Sequence, residues 1–177
     1  MSRRNRGGWA LAVLGVLVVL LAACGSSASP PPTTKPTTTT FDAAAAKASI
    51  SKAYDTLFDF SNSSVSQKTA VIEDGSSLEQ ALTEALDSAL AKSATGAKVV
   101  SVTLLSSTKC SEAGVSSPCA KVAYELLGPD GKPLLSGQST GYAVEHDGTW
   151  LVAKSTICSL LTLFYSTAGK SGSPPGC

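Results

Sequence analysis

One histidine, one methionine and ten aromatic residues serve the whole 177-residue chain, and only 15% of its residues are charged. Each scarcity excludes something. His146 stands alone and the cysteines show no C-x-x-C spacing, so neither a metal nor a cofactor is expected. No Gly-rich phosphate loop and no G-x-S-x-G elbow is present, which removes the phosphate-cradling enzymes and the α/β-hydrolases. No apolar run is long enough to cross a membrane as a helix. The longest, Trp9 to Ala23, has 15 residues, about 22 Å of helix against a hydrocarbon core of about 30 Å. After Thr40, ten Lys face thirteen Asp and Glu, spread along the chain rather than clustered, which argues against strong nucleic-acid binding. No internal repeat is visible.

What the first 24 residues do contain is an ordered leader: Arg3, Arg4 and Arg6, then the apolar run, then Leu21-Ala22-Ala23-Cys24. A basic start, an apolar middle and small residues before a cleavage point are the three parts of an export signal. The last four residues resemble the bacterial lipobox. That resemblance implies removal of residues 1–23 by cleavage between Ala23 and Cys24, and a diacylglyceryl group on the Cys24 thiol, with palmitate-type acyl chains. Two or more chains anchor far more durably than one. The expected location is the outer, extracytoplasmic face of the cell membrane. Arg3-Arg4 hints at twin-arginine export, but no apolar residue follows closely, which favours the ordinary secretory route.

Residues 25–40 contain only Gly, Ser, Ala, Pro, Thr and one Lys, none able to build a core. With Cys24 they form a tether. Pro30-Pro31-Pro32 and Pro36 favour extended conformations, so these sixteen residues reach up to roughly 50 Å. The threonines at 33, 34 and 37–40 either accept sugars, as in similar actinobacterial lipoproteins, or simply belong to a solvated spacer.

Residues 41–177 are one ordinary domain's worth of chain. Removing Cys24 leaves Cys110, Cys119, Cys158 and Cys177, enough for two disulfides. Three pairings are possible. The short loop between Cys110 and Cys119 suits a local clasp, which leaves Cys158 with Cys177 to pin a Gly/Ser/Pro-rich, otherwise flexible tail from about residue 169.

Helical spacing of Ala46, Ile50, Tyr54, Leu57 and Phe58 predicts a first helix from about Asp42 to Phe60. A short helix over 66–72 follows. Ser76 and Glu79 then offer a capping box to a third, whose apolar face runs from Leu78 through Leu82 and Leu86 to Leu90 and ends at Gly96. Such a stripe suits core packing better than a membrane surface. The pattern then changes to strands: residues 99–105, a second from Cys119 through Val122, Tyr124 and Leu126, and a third from Leu134 to Glu145. The third turns at His146-Asp147-Gly148 into Trp150-Leu151-Val152. Gly128-Pro129-Asp130-Gly131 marks the turn between the second and third strands. A short final helix covers about 157–165. Helices followed by a meander define an α+β fold: N-terminal helices on a curved antiparallel sheet of about four strands, with a C-terminal helix.

Two stretches carry a resemblance. Val71-Ile72-Glu73-Asp74-Gly75 before a helix, and Asp147-Gly148-Thr149-Trp150-Leu151-Val152 running into Ser155–Leu161, look like the mycobacterial low-molecular-weight antigen family over most of 41–168. The resemblance implies a cystatin-like, nuclear-transport-factor-like cone in a small exported protein with no established catalysis. The cysteine pairs are not part of that pattern.

Similar cones include isomerases and dehydratases that use an Asp or His base with a Tyr donor, so those residue types need weighing. His146 sits at a hairpin tip, where a solvated turn residue is the better reading. Asp55 and Asp59 lie one helical turn apart, yet surface charge at such positions is commoner than acid/base work. Tyr124 and Tyr142 either point into a cavity or fill the core. The reading is therefore noncatalytic. It is a binding module for a hydrophobic cell-envelope ligand, held between the concave sheet and the Leu78–Leu90 helix, or alternatively an interaction module that docks an envelope protein. Polar residues along the third and fourth strands, Ser136, Gln138, Thr140 and the Lys154 end, argue against a large sheet-to-sheet dimer.

Overall fold

The computed structural model describes residues 42–177, so the expectations for Ala23, Cys24 and the tether lie outside the described residues. The described residues belong to one compact unit. No helix among the described residues is long and apolar enough to cross a membrane.

Helix α1 spans Ala43–Phe58. Asp42 starts it: its carboxylate accepts the N–H of Ala44 at 2.9 Å and of Ala45 at 3.0 Å, satisfying two of the donors that a helix start leaves open. Ala46, Ile50, Ala53, Tyr54, Leu57 and Phe58 form its buried stripe. Helix α2, Val65–Ala70, opens with a complete capping box between Ser64 and Gln67.

The single long third helix expected from the Leu78–Leu90 stripe is broken into three pieces. Gly75–Leu78 is a 3-10 turn, α3 spans Glu79–Leu86, and α4 spans Ala89–Ser93. The break falls at Asp87-Ser88, because the Ser88 hydroxyl accepts the N–H of Ala91 and starts a new helix. Ser76 does not cap α3; that position is taken by Leu78, without a side-chain cap.

Four antiparallel strands follow in the spatial order β1 (Gly96–Leu104), β2 (Cys119–Leu127), β3 (Ser139–His146) and β4 (Thr149–Val152), a curled α+β meander. A bulge between Val99 and Ser101 pushes Val100 out to solvent. Asp147 and Gly148 both take positive φ, 50° and 78°, and close the β3–β4 hairpin with the two-residue turn that matches strand twist. A helix that the strand pattern did not reveal, α5 at Ser107–Glu112, carries Cys110 over one end of the sheet. The last helix, α6, runs over Lys154–Thr167, longer at both ends than its sequence pattern.

β3 starts at Ser139 rather than Leu134. Leu134 still donates its N–H to Leu126 at 2.8 Å, but the chain leaves the ladder before Ser139 resumes it opposite Tyr124. Gly137, with φ of 85°, supplies the left-handed backbone for this excursion.

The main core lies between the sheet's concave face and α1, α3 and α6. Tyr54, Phe58 and Tyr124 fill its centre, with the Phe58 and Tyr124 rings stacked at 5.1 Å. Burying one such large side chain contributes about 1.5–3 kcal/mol. A smaller cluster of Cys110, Cys119, Val144 and Ala153 lies under α5 on the other face.

Two disulfides are present, Cys110–Cys119 and Cys158–Cys177, with Cα separations of 5.9 and 5.5 Å. The segment after α6 is packed, not loose. Pro174 is buried, Gly176 sits against the Ser77 carbonyl, and the Lys170 ammonium reaches Glu84 at 2.7 Å. These contacts lay the segment as a strap along α3.

Candidate functional site

The residues that the sequence offered for acid/base work do not meet. Asp55 is exposed on α1. Asp59, one turn on, ends the helix and accepts the N–H groups of Ser61 and Asn62 at 3.1 and 2.9 Å; the Asn62 bond is the main cause of its lowered carboxyl pKa. His146 is exposed at the hairpin end, its Nε2 3.5 Å from Glu73. Tyr124 and Tyr142 lie on opposite faces of the sheet. Tyr124 is in the main core, where burial raises its phenol pKa, and Tyr142 packs with the small cluster. Tyr54 donates its hydroxyl to the Tyr142 carbonyl at 3.1 Å, and burial pushes its phenol far above the ordinary range. Buried, neutral and committed to a carbonyl, it is a structural hydroxyl. No cluster of three metal-ligating side chains occurs among the described residues.

Among the described residues, Tyr54 and Phe58 of α1 pack with Tyr124 across the middle of the concave face. An apolar slot lies between α1, α3 and α6, bordered by Leu57, Leu82, Leu86, Leu161 and Phe164, with a volume of about 20 Å³. That is room for about one water-sized sphere. Lys68 stands at its wall, 1% exposed. Its ammonium donates to the carbonyls of Leu57 at 2.6 Å and Asp59 at 2.7 Å and lies 5.1 Å from the Phe60 ring centre. Burial lowers its pKa, and the nearby Asp59 charge works against that shift. The cation therefore satisfies the end of α1, where the helix dipole is negative, and two of its three N–H groups are committed to backbone carbonyls. Sequence patterning missed it because a lysine on a short, largely polar helix reads as surface charge.

The two motifs singled out in the sequence meet in space. Ile72 forms an isolated parallel bridge with Val152; Glu73 donates its N–H to the Val152 carbonyl, and Val152 donates to that of Val71, each at 2.9 Å. Glu73 also accepts the Lys154 N–H at 3.1 Å, at the start of α6. Asp74 holds the Lys154 ammonium at 2.7 Å, which lowers the Asp74 carboxyl pKa. Gly75 then runs so close to the Thr69 backbone that a β-carbon would collide with it. The motifs are a clasp, and their chemistry is spent on architecture.

A surface groove remains beside α6. β4 pairs only with Ala143–His146, so among the described residues the first half of β3 has no strand neighbour on that side. The start of α6 covers part of this edge: Tyr142 donates its N–H to the Thr156 hydroxyl at 2.7 Å and its carbonyl accepts the Ala153 N–H at 2.9 Å. Gly141 makes the approach possible, since a β-carbon there would lie 2.5 Å from the Thr156 methyl and 2.6 Å from the Tyr54 hydroxyl. Two adjoining depressions of about 200 and 230 Å³ share Thr140, Thr156 and Ser159. Among the described residues, no charged side chain lines either of them. Of the polar residues marked in the sequence, Ser136 and Gln138 lie on the excursion before β3, Thr140 borders the groove, and Lys154 is tied into the clasp.

Comparison with known proteins adds one finding. The model of the family described as low molecular weight antigen MTB12, C-terminal domain, matches residues 42–168. The match contains both clasp motifs and stops short of the strap. No curated protein matches the chain.

Proposed function

The chain belongs to the low molecular weight antigen MTB12 family through its C-terminal domain, and from that premise we propose that it is an exported, noncatalytic interaction module, tethered to the outer face of the cell membrane by lipid on Cys24. The domain presents a partner-docking surface at the end of the Pro/Thr-rich segment. The observation that carries the interaction reading is the filled concave face: Tyr54, Phe58 and Tyr124 occupy the space in which a cone of this shape would hold a small molecule. With that space closed, the protein's remaining means of recognition are on its surface. The noncatalytic reading is supported by the dispersal of His146, Asp55, Asp59 and the tyrosines.

The test is crosslinking of the full chain in intact cells with a short amine-reactive reagent, followed by identification of captured proteins. Reproducible heterologous partners support the reading, and capture of monomer alone defeats it. A hydrophobic envelope ligand is the second reading, supported by the apolar lining of the slot beside Lys68. It requires the slot to widen severalfold on loading. Native mass spectrometry of the delipidated protein after exposure to several lipid mixtures tests it, and repeated recovery of empty protein excludes it.

A further inference from the structure

We propose that the uncovered edge of β3 beside α6 is a β-addition site for an extended, uncharged peptide segment of a partner protein. The inference rests on the interaction reading above and assigns that partner its chemistry.

The backbone supplies the first argument. In an antiparallel ladder, the N–H and C=O of a residue both face one neighbour, and the facing side alternates from residue to residue. Tyr142 turns both groups away from β2, toward Thr156 and Ala153. Thr140, two residues earlier on the same strand, therefore directs its own N–H and C=O to the same side. There α6 has moved away and leaves the groove. A free donor and acceptor on a strand edge is the element that an extended chain completes by adding a strand.

The walls supply the second. On one side stand Thr156 and Ser159, then Leu160 and Leu163 further along α6. Leu163 is 36% exposed, one of the two large apolar side chains so exposed among the described residues. Opposite it, the excursion before β3 brings Leu135 to the groove. The site thus offers main-chain pairing at Thr140, hydroxyls at its middle and an apolar notch between Leu135 and Leu163. Side chains alternate in direction along an added strand, so one would drop into the notch and its neighbours would face solvent.

Charge selects the occupant. In a domain with ten Lys and thirteen Asp and Glu, none of these lines the groove. A charged segment would lose hydration there without gaining a partner. An uncharged segment rich in Ser, Thr and aliphatic residues loses little and gains both the pairing and the notch.

The test uses the full chain and an array of blocked heptapeptides built at random from Gly, Ser, Thr, Val, Leu and Tyr, with matched arrays that carry one Lys or one Glu. Expected are binders from the uncharged array that lose tenfold or more when a single alternate backbone amide is N-methylated. Ser159→Arg and Leu163→Asp, both exposed helix positions that leave the core untouched, should each abolish binding, with far-ultraviolet circular dichroism unchanged. Binding that survives N-methylation at every position, equal binding of charged peptides, or binding unaffected by both variants overturns the site. So does an array without binders, or preference of the same groove for a neutral oligosaccharide array. Crosslinking in cells separates this outcome from the broader reading: partners still captured by both variants leave the interaction module standing and remove the β3 edge as its docking place.

Discussion

Ile72 and Val152 lie side by side as an isolated parallel bridge, joining the turn after α2 to the last strand of the sheet. The bridge holds together the two motifs by which the chain resembles its family. A family signature is often read as an active site, but here each member has a mechanical task. Glu73 accepts the first N–H of α6, Asp74 holds the Lys154 ammonium, and Gly75 allows the backbone to pass Thr69.

Gly75→Ala tests that clasp directly. The new β-carbon meets backbone rather than a flexible side chain, so neighbouring segments must move. Overpacking of this kind costs about 2–3 kcal/mol. Urea unfolding followed by tryptophan fluorescence measures it, and a loss below about 0.5 kcal/mol would show that the turn is not tightly held.

Lys68→Met tests the buried cation. Methionine keeps most of the apolar stem but leaves the Leu57 and Asp59 carbonyls without their donor. One unsatisfied buried acceptor costs about 1–3 kcal/mol, so a loss of about 2–4 kcal/mol is expected. A neutral or stabilising result would mean that water replaces the ammonium at no cost.

Glu84 ties the strap to α3 and sets a pH dependence. The Lys170 ammonium, followed by the Tyr165 hydroxyl and Gln80, holds its carboxyl at about 2, against an ordinary 4.5. Burial first, then Glu84 itself, pushes the Tyr165 phenol up to about 12. A carboxyl whose pKa falls on folding stabilises the folded state above its unfolded value and loses that contribution as pH drops through its folded value. The stability difference between wild type and Glu84→Gln should therefore be constant from about pH 5 through neutrality and shrink between pH 4.5 and 2. Equilibrium unfolding across that range measures it; a gap independent of pH would contradict the bond.

The disulfides differ in setting, and their removal should differ too. On a chain-entropy estimate, the Cys110–Cys119 and Cys158–Cys177 loops contribute about 2.7 and 3.3 kcal/mol. Cys110 and Cys119 are buried whereas Cys177 is exposed, so mild thiol reductant should open Cys158–Cys177 first. Mass mapping of alkylated cysteines gives the order. Four thiols appearing together would mean that exposure does not govern access.

Cys24→Ala tests the proposed anchor. Cell fractionation should move the protein out of the membrane fraction, and unchanged retention would remove lipid at Cys24 as the cause.

Much of this fold could be read from spacing alone. The α1 stripe at Ala46, Ile50, Tyr54 and Phe58 and the alternation at Val122, Tyr124 and Leu126 both mark faces that a large core must bury, so their periods survive into the structure. The misses have local causes. The hydrophobic stripe runs straight through Ser88, but a serine hydroxyl that accepts a backbone N–H three residues ahead outcompetes continued helix. Leu134 and Leu135 extend the apolar pattern ahead of β3, yet Gly137 makes a detour cheap. Helix α5 has almost no apolar face because a disulfide, rather than a hydrophobic stripe, secures it. The groove was not legible at all. It arises because β4 is shorter than β3, a difference in length that no single residue announces.

The aromatic stack of Tyr54, Phe58 and Tyr124 has an engineering consequence. The domain is a vessel with its stopper built in, and the stopper is made of a few rings on α1 and β2. Trimming Phe58 to alanine, with compensating stabilisation elsewhere, would turn the same scaffold into a receptacle for a small aromatic guest. Between container and plug, this architecture needs no change of topology, only a change of filling.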